Sequence, residues 1–232
     1  MNADTSWSSL TLTTVAGAVA ATTGAALILR AIKRAFSPTI KCHLSCECGK
    51  IQGNVRAKWE DSIRIYCYCK ECRLYANYIA SLGNKQDKTI GMPYGDNRVV
   101  QVCKSAITID QGQELLGLAR MAPPDDSGKV YMHRFYAKCC HVPLMNTVDF
   151  LGFVGVFTDF LDENHKKFNG PVCMFDKEAL QDPKHREADI FVPDFLWKLI
   201  RYLPWRSSGP FNYSQEPVYW GGGKDTENKK GI

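Results

Sequence analysis

Seven of the ten cysteines in this 232-residue chain stand at spacings that suit metal ligation: Cys46 and Cys48 as C-x-C, Cys67, Cys69 and Cys72 as C-x-C-x-x-C, and the adjacent pair Cys139 and Cys140. Nearest-neighbour thiols so close in sequence fit a shared metal vertex better than separate disulfides. Zinc takes four ligands in structural sites, whereas catalytic sites keep three protein ligands and leave a fourth position to water or substrate. Seven cysteines therefore suit four plus three. Cys139 and Cys140 come from a distant strand and would complete a site with Cys46 and Cys48, although their assignment to either metal stays open on spacing alone. Thiolate ligands leave excess negative charge on the centre. Lys50, Lys70, Arg73 and Lys138 are placed in sequence to offset it.

Cys42, Cys103 and Cys173 are isolated and read as small buried hydrophobes. His43, His133 and His141 lie near the cysteines, where a lone histidine more often makes a structural hydrogen bond than a metal bond.

The elements that must position these groups are strands. Cys42, Leu44, Cys46 and Cys48 recur at period two, as do Ile63, Ile65, Cys67 and Cys69. Gly49, following Cys48, permits a tight turn whose backbone N–H groups point back at the thiolates. The third sulfur of the triplet, Cys72, falls where the strand passes into a loop or helix start. Further β-prone runs at Val99–Val102, Ile107–Ile109 and Val130–Tyr136, separated by turn signals at Gly95-Asp96-Asn97 and Pro123-Pro124-Asp125-Asp126, complete an antiparallel β domain. Its strands look too short and polar to bury a large core unaided.

Three zones follow: an uncharged leader with a basic flank over residues 1–39, a zinc-binding domain over 40–147 and a C-terminal extension over 148–232. Residues 5 to 29 carry no charge and Arg30, Lys33 and Arg34 follow, so the leader is long enough for a membrane-spanning helix whose positive flank would face the zinc domain to the cytoplasm. A surface helix and a mitochondrial leader are the competing readings. In the extension, 149–157 is an apolar run, and Phe191–Trp205 reads as an amphipathic helix docked on the β domain. With 45% hydrophobic residues the chain is not disordered, and a spread net charge of +5 carries no clear nucleic-acid signature.

Cys46-Glu47-Cys48-Gly49, then Cys67-Tyr68-Cys69-Lys70-Glu71-Cys72-Arg73, then Arg134-Phe135 leading to Cys140-His141-Val142-Pro143-Leu144, resemble the glutathione-dependent formaldehyde-activating enzyme and centromere protein V family over about 105 residues, Cys42 to Thr147. The resemblance implies a mainly β, β-tent fold of antiparallel sheets with two zinc ions. One is structural, held by four cysteines that include Cys46, Cys48 and Cys140. The other is an open, reactive centre on Cys67, Cys69 and Cys72. The family's late motif is C-x-x-C-G. Here Ala137 stands at its first cysteine place, Cys139 precedes Cys140, and His141 replaces the glycine. The implied activity is that of a zinc-dependent carbon–sulfur lyase interconverting glutathione and formaldehyde with S-(hydroxymethyl)glutathione. A non-catalytic, zinc-structured interaction module is the alternative, and a fourth ligand position open to exchange distinguishes the two.

Overall fold

The computed structural model describes residues 28–29, 31–83, 97–121, 132–148, 151–175 and 209–220. The chain divides into two compact units, Met1–Pro38 and Thr39–Ile232. In the first, residues 28–29 and 31–35 are helical and expose Ile28, Leu29, Ile32 and Phe36. The expected membrane-spanning helix is corrected here: no helix among the described residues is long and apolar enough to cross a membrane. Most of the uncharged leader, residues 1–27, lies outside the described residues, as do the Phe191–Trp205 segment and the Pro123–Asp126 turn.

The second unit is mainly β. Strand β1 (Thr39–Ser45) pairs antiparallel with β2 (Gln52–Lys58), and β2 pairs with β5 (Ile107–Gln111) in a three-stranded sheet. The larger sheet contains β3 (Ile63–Cys67), β4 (Asn97–Cys103), β6 (Leu116–Met121), β7 (His133–Ala137), β8 (Val142–Thr147), β9 (Phe153–Phe157), β10 (Val172–Met174) and β11 (Val218–Trp220). Its order is β10-β3-β4-β9-β8-β7-β6-β11. The six inner strands are antiparallel, while β10 joins β3 and β11 joins β6 in parallel, so the sheet is not wholly antiparallel. Strand β9, from the apolar run beyond Thr147, lies between β4 and β8 at the sheet's centre.

Alternation decides what each face buries. Ile40, Cys42 and Leu44 of β1 and Val55 and Ala57 of β2 meet Val100, Val102, Leu118, Phe135, Leu144, Val154 and Val156 of the larger sheet in one core. The opposite face of that sheet carries Ile65, Cys67, Val99, Tyr136 and Phe157. It is covered by helix α1 (Lys70–Leu82), which buries Cys72, Tyr75, Ala76, Ile79 and Ala80 at helical spacing. Tyr75 pins the helix by donating its hydroxyl to the Phe135 carbonyl at 3.0 Å. A buried Lys104 donates to the Val148 carbonyl and lies under the Tyr213 ring, fastening residues 209–213 to the same body.

Candidate metal centre

Two hairpin turns make the first thiol group. Strand β1 ends at Ser45, so Cys46 and Cys48 lie in the β1–β2 turn rather than on the strand itself. The turn closes through Gly49 N–H to the Cys46 carbonyl and is made possible by Gly49 at φ 73°, left-handed backbone that favours glycine. Cys139 and Cys140 lie in the β7–β8 turn, where His141 takes φ 52°, left-handed backbone unusual for a residue other than glycine. The four sulfurs fall within 4.8 Å of one another. Their separations are 3.6 Å for Cys46–Cys48, 3.8 Å for Cys46–Cys139, 3.4 Å for Cys48–Cys139 and 4.0 Å for Cys139–Cys140. A tetrahedron of bonds about 2.3 Å long has an edge of about 3.8 Å, so the spacing fits a zinc ion between them. The thiols are free of disulfides.

Backbone N–H groups point at two of these sulfurs. The Ile51 N–H donates to the Cys46 sulfur at 3.3 Å. The Lys50 backbone N–H, helped by the neighbouring thiols, pulls the exposed Cys48 down to about 7. Burial pushes Cys140 up to about 11, which leaves Cys48 the first of these two to ionise.

The second group sits where β3 hands over to α1. Cys67 is the last residue of β3, Cys69 is the N-cap of α1, and Cys72 lies in its first turn. Cys67 is 3.3 Å from Cys69 and 3.7 Å from Cys72, all three sulfurs lying within 4.8 Å. The Cys72 N–H donates to the Cys69 sulfur at 3.4 Å, so one atom both caps the helix and offers itself as a ligand. Hydrogen bonds from Cys67 and Cys69, together with the Arg134 guanidinium, hold Cys72 well below the usual thiol range. Those same bonds and burial push Cys67 up.

Arg134 is the cation that sequence spacing missed. It is 1% exposed on β7, donates to the Cys72 sulfur at 3.5 Å, lies 5.0 Å from the Tyr75 ring centroid and comes within 3.9 Å of Glu71. Burial opposes its charge, but Cys72, Tyr75 and Cys69 together more than offset burial and hold the guanidinium above its ordinary range. Of the residues expected to offset charge, Lys50 acts through its backbone N–H, and Arg73 donates to the Tyr68 carbonyl. A charged residue within the apolar run Val130–Tyr136 is the signal that marked Arg134 in the sequence.

All seven expected residues are brought together, divided four and three, with Cys139 joining the first group where Ala137 cannot. Cys42, Cys103 and Cys173 lie outside both groups. None of His43, His133 and His141 enters either. His133 instead accepts from Arg120 and packs edge-on to Tyr213.

The two groups face different surroundings. The triplet opens on a cavity of about 720 Å³. Ile65, Val99 and Gln101 of the sheet, Asn146, Phe153 and Met174 line it beside Lys70, Arg73 and Arg134. The four-cysteine group does not line this cavity.

Fold and site together define a mainly β protein with two cysteine groups able to hold metal ions. The chain belongs to a family of unknown function, DUF6151, whose family model matches residues 39–222. It is similar to a Rhodobacter sphaeroides protein of known crystal structure at 14% identity and a TM-score of 0.37, over 57% of this chain and 99% of that one. The comparison with curated proteins found no match. The lyase and glutathione assignments implied by the resemblance find no support in these comparisons, while the cysteine groups are compatible with the resemblance as a metal-binding pattern.

Proposed function

We propose that the protein binds two zinc ions with different duties. Cys46, Cys48, Cys139 and Cys140 hold a closed, structural ion, and Cys67, Cys69 and Cys72 hold an ion whose fourth position is available to a small ligand. The observation that carries this reading is the asymmetry of surroundings: three thiols line a cavity of about 720 Å³, and the group of four does not. A volume of that order suits a small organic ligand. A zinc ion on three thiolates supplies a Lewis acid to a thiolate or hydroxyl placed in the cavity.

The chain's own residues then have definite tasks. Arg134 keeps Cys72 ionised, Lys70 and Arg73 surround an incoming anion with positive charge, and Ile65, Val99 and Phe153 exclude water from the ligand's apolar part. The resemblance in cysteine order extends the reading to a small thiol adduct of an aldehyde, in which the carbon–sulfur bond is made or broken.

Metal content tests the reading. Purified protein should carry two zinc ions per chain and lose one to a weak chelator, because the cavity admits the chelator to the triplet ion first. Cys69→Ser should carry one ion and Cys46→Ser should fold poorly. Two ions that leave together, or a Cys69→Ser protein with full zinc, would overturn it.

A further inference from the structure

One row of the larger sheet runs across the cavity floor: Gln101 of β4 is in register with Gly155 of β9, Gly155 with Asn146 of β8, and Asn146 with Arg134 of β7. Side chains paired directly across antiparallel strands share a face, so this row points toward α1 and the triplet. Gln101, Asn146 and Gly155 all line the cavity. Gly155 has a reason to be glycine: a Cβ there would stand 2.5 Å from the Asn146 Oδ1. The missing side chain leaves room for the Asn146 carboxamide over β9.

Gln101 is 6% exposed and Asn146 half-buried, no hydrogen bond from a described residue engages either carboxamide, and their polar atoms are open to the cavity they line. Each carboxamide offers two N–H donors and a carbonyl acceptor. Polar atoms that face a cavity rather than the core are left for water or a ligand to satisfy. Lys70, Glu71 and Arg73 stand on α1 beside the triplet, and Arg134, the cation of the row itself, is engaged with Cys72, Glu71 and Tyr75.

We propose that Gln101 and Asn146 form the specificity-determining subsite of this cavity and recognise a neutral amide on a ligand whose thiol reaches the triplet. The inference rests on the open-site reading above and adds the ligand's class: a thiol carrying an amide, rather than a carboxylate, on its body. An amide presents a donor and an acceptor side by side, which two carboxamides complement without any charge to desolvate. A carboxylate in the same place would accept hydrogen bonds but lose its water beside a guanidinium, Arg134, that is already committed to Cys72 and Glu71.

The experiment uses full-length protein loaded with cobalt(II), whose absorption changes when a thiolate enters the metal's coordination sphere. Three series of ω-mercapto compounds of increasing length are titrated, ending in a primary amide, a methyl group or a carboxylate. Wild type should bind its best amide about tenfold more tightly than the matched methyl compound, and the carboxylate more weakly than the amide. Gln101→Met and Asn146→Leu should each erase most of that preference by weakening the amide compound about tenfold.

A second readout separates recognition from a structural role. Gln101→Met replaces a carboxamide that no described residue engages with an apolar chain of similar length, so the ligand-free variant should melt at or above the wild-type temperature. A lower melting temperature would mean that Gln101 supports the fold, and would overturn the proposal; Asn146→Leu then stands as the independent variant. A preference for amides that survives both substitutions overturns the subsite alone. Cobalt spectra that no thiol perturbs in wild type overturn the open site, and the subsite with it.

Discussion

Arg134 and Cys72 show how a single contact sets the character of the triplet. The guanidinium lies 3.5 Å from the Cys72 sulfur inside the protein, where a charge-assisted hydrogen bond contributes more than it would at the surface. A thiolate favoured in the folded state remains available for metal as pH falls until protons reclaim it, so whatever raises the Cys72 pKa moves metal loss to higher pH. Arg134→Gln should therefore weaken zinc at the triplet by about tenfold, corresponding to about 1.5 kcal/mol. Acid release of that ion should begin at higher pH than in wild type. Arg134→Lys, which keeps the charge, should recover part of both effects. Zinc release against pH, followed with a colorimetric chelator, checks this; coincident curves for wild type and Arg134→Gln would show that the contact is electrostatically idle.

At the scale of the element, helix α1 depends on a ligand residue for its start. Cys69 is its N-cap and accepts from the Cys72 N–H, so the same sulfur that is able to hold a metal satisfies one of the helix's otherwise unpaired donors. Serine keeps the capping oxygen and loses the soft ligand, while alanine loses both. Urea unfolding of Cys69→Ser and Cys69→Ala, after mild chelation that leaves the four-thiolate centre loaded, should place the alanine variant lower by about 1 kcal/mol. Equal stability would mean that the cap contributes nothing once the metal is gone. Tyr75 holds the middle of the helix to the sheet through the Phe135 carbonyl, so fraying at the N-terminus should not undock the element.

Across the whole molecule, the four-cysteine group ties the two sheets together. Cys46 and Cys48 belong to the β1–β2 turn of the three-stranded sheet, and Cys139 and Cys140 to the β7–β8 turn of the larger one. The core between the sheets is substantial, which departs from the expectation of strands too polar to bury one, so an ion held there would act as a clamp on an already apolar interface. Stripping it with a strong chelator under reducing conditions should cost on the order of 5 kcal/mol and lower the melting temperature by roughly 10–20 °C. A melt unaffected by chelator would show that the sheets hold without metal.

How much of this was legible in the sequence depends on whether the signal was local. The spacing of Cys67, Cys69 and Cys72 already implied one vertex, because three thiols within six residues at a strand end have nowhere else to converge. Period-two alternation likewise marked the strands, and the mainly β class with them. The partition of Cys139 and Cys140 was not local. It depends on which hairpin turn the β7–β8 turn meets, and that is set by the packing of two sheets. Arg134, Gln101 and Asn146 read as polar interruptions of apolar strands, and only the register across β4, β9, β8 and β7 puts them on one face above a cavity. The parallel edge strands β10 and β11 were equally out of reach, since such pairings join residues far apart along the chain. Chemistry carried by neighbours in sequence was determined by the sequence itself, whereas chemistry carried by neighbours across a sheet was decided by the tertiary structure, because strand pairing brings distant residues together through contacts that no local window contains.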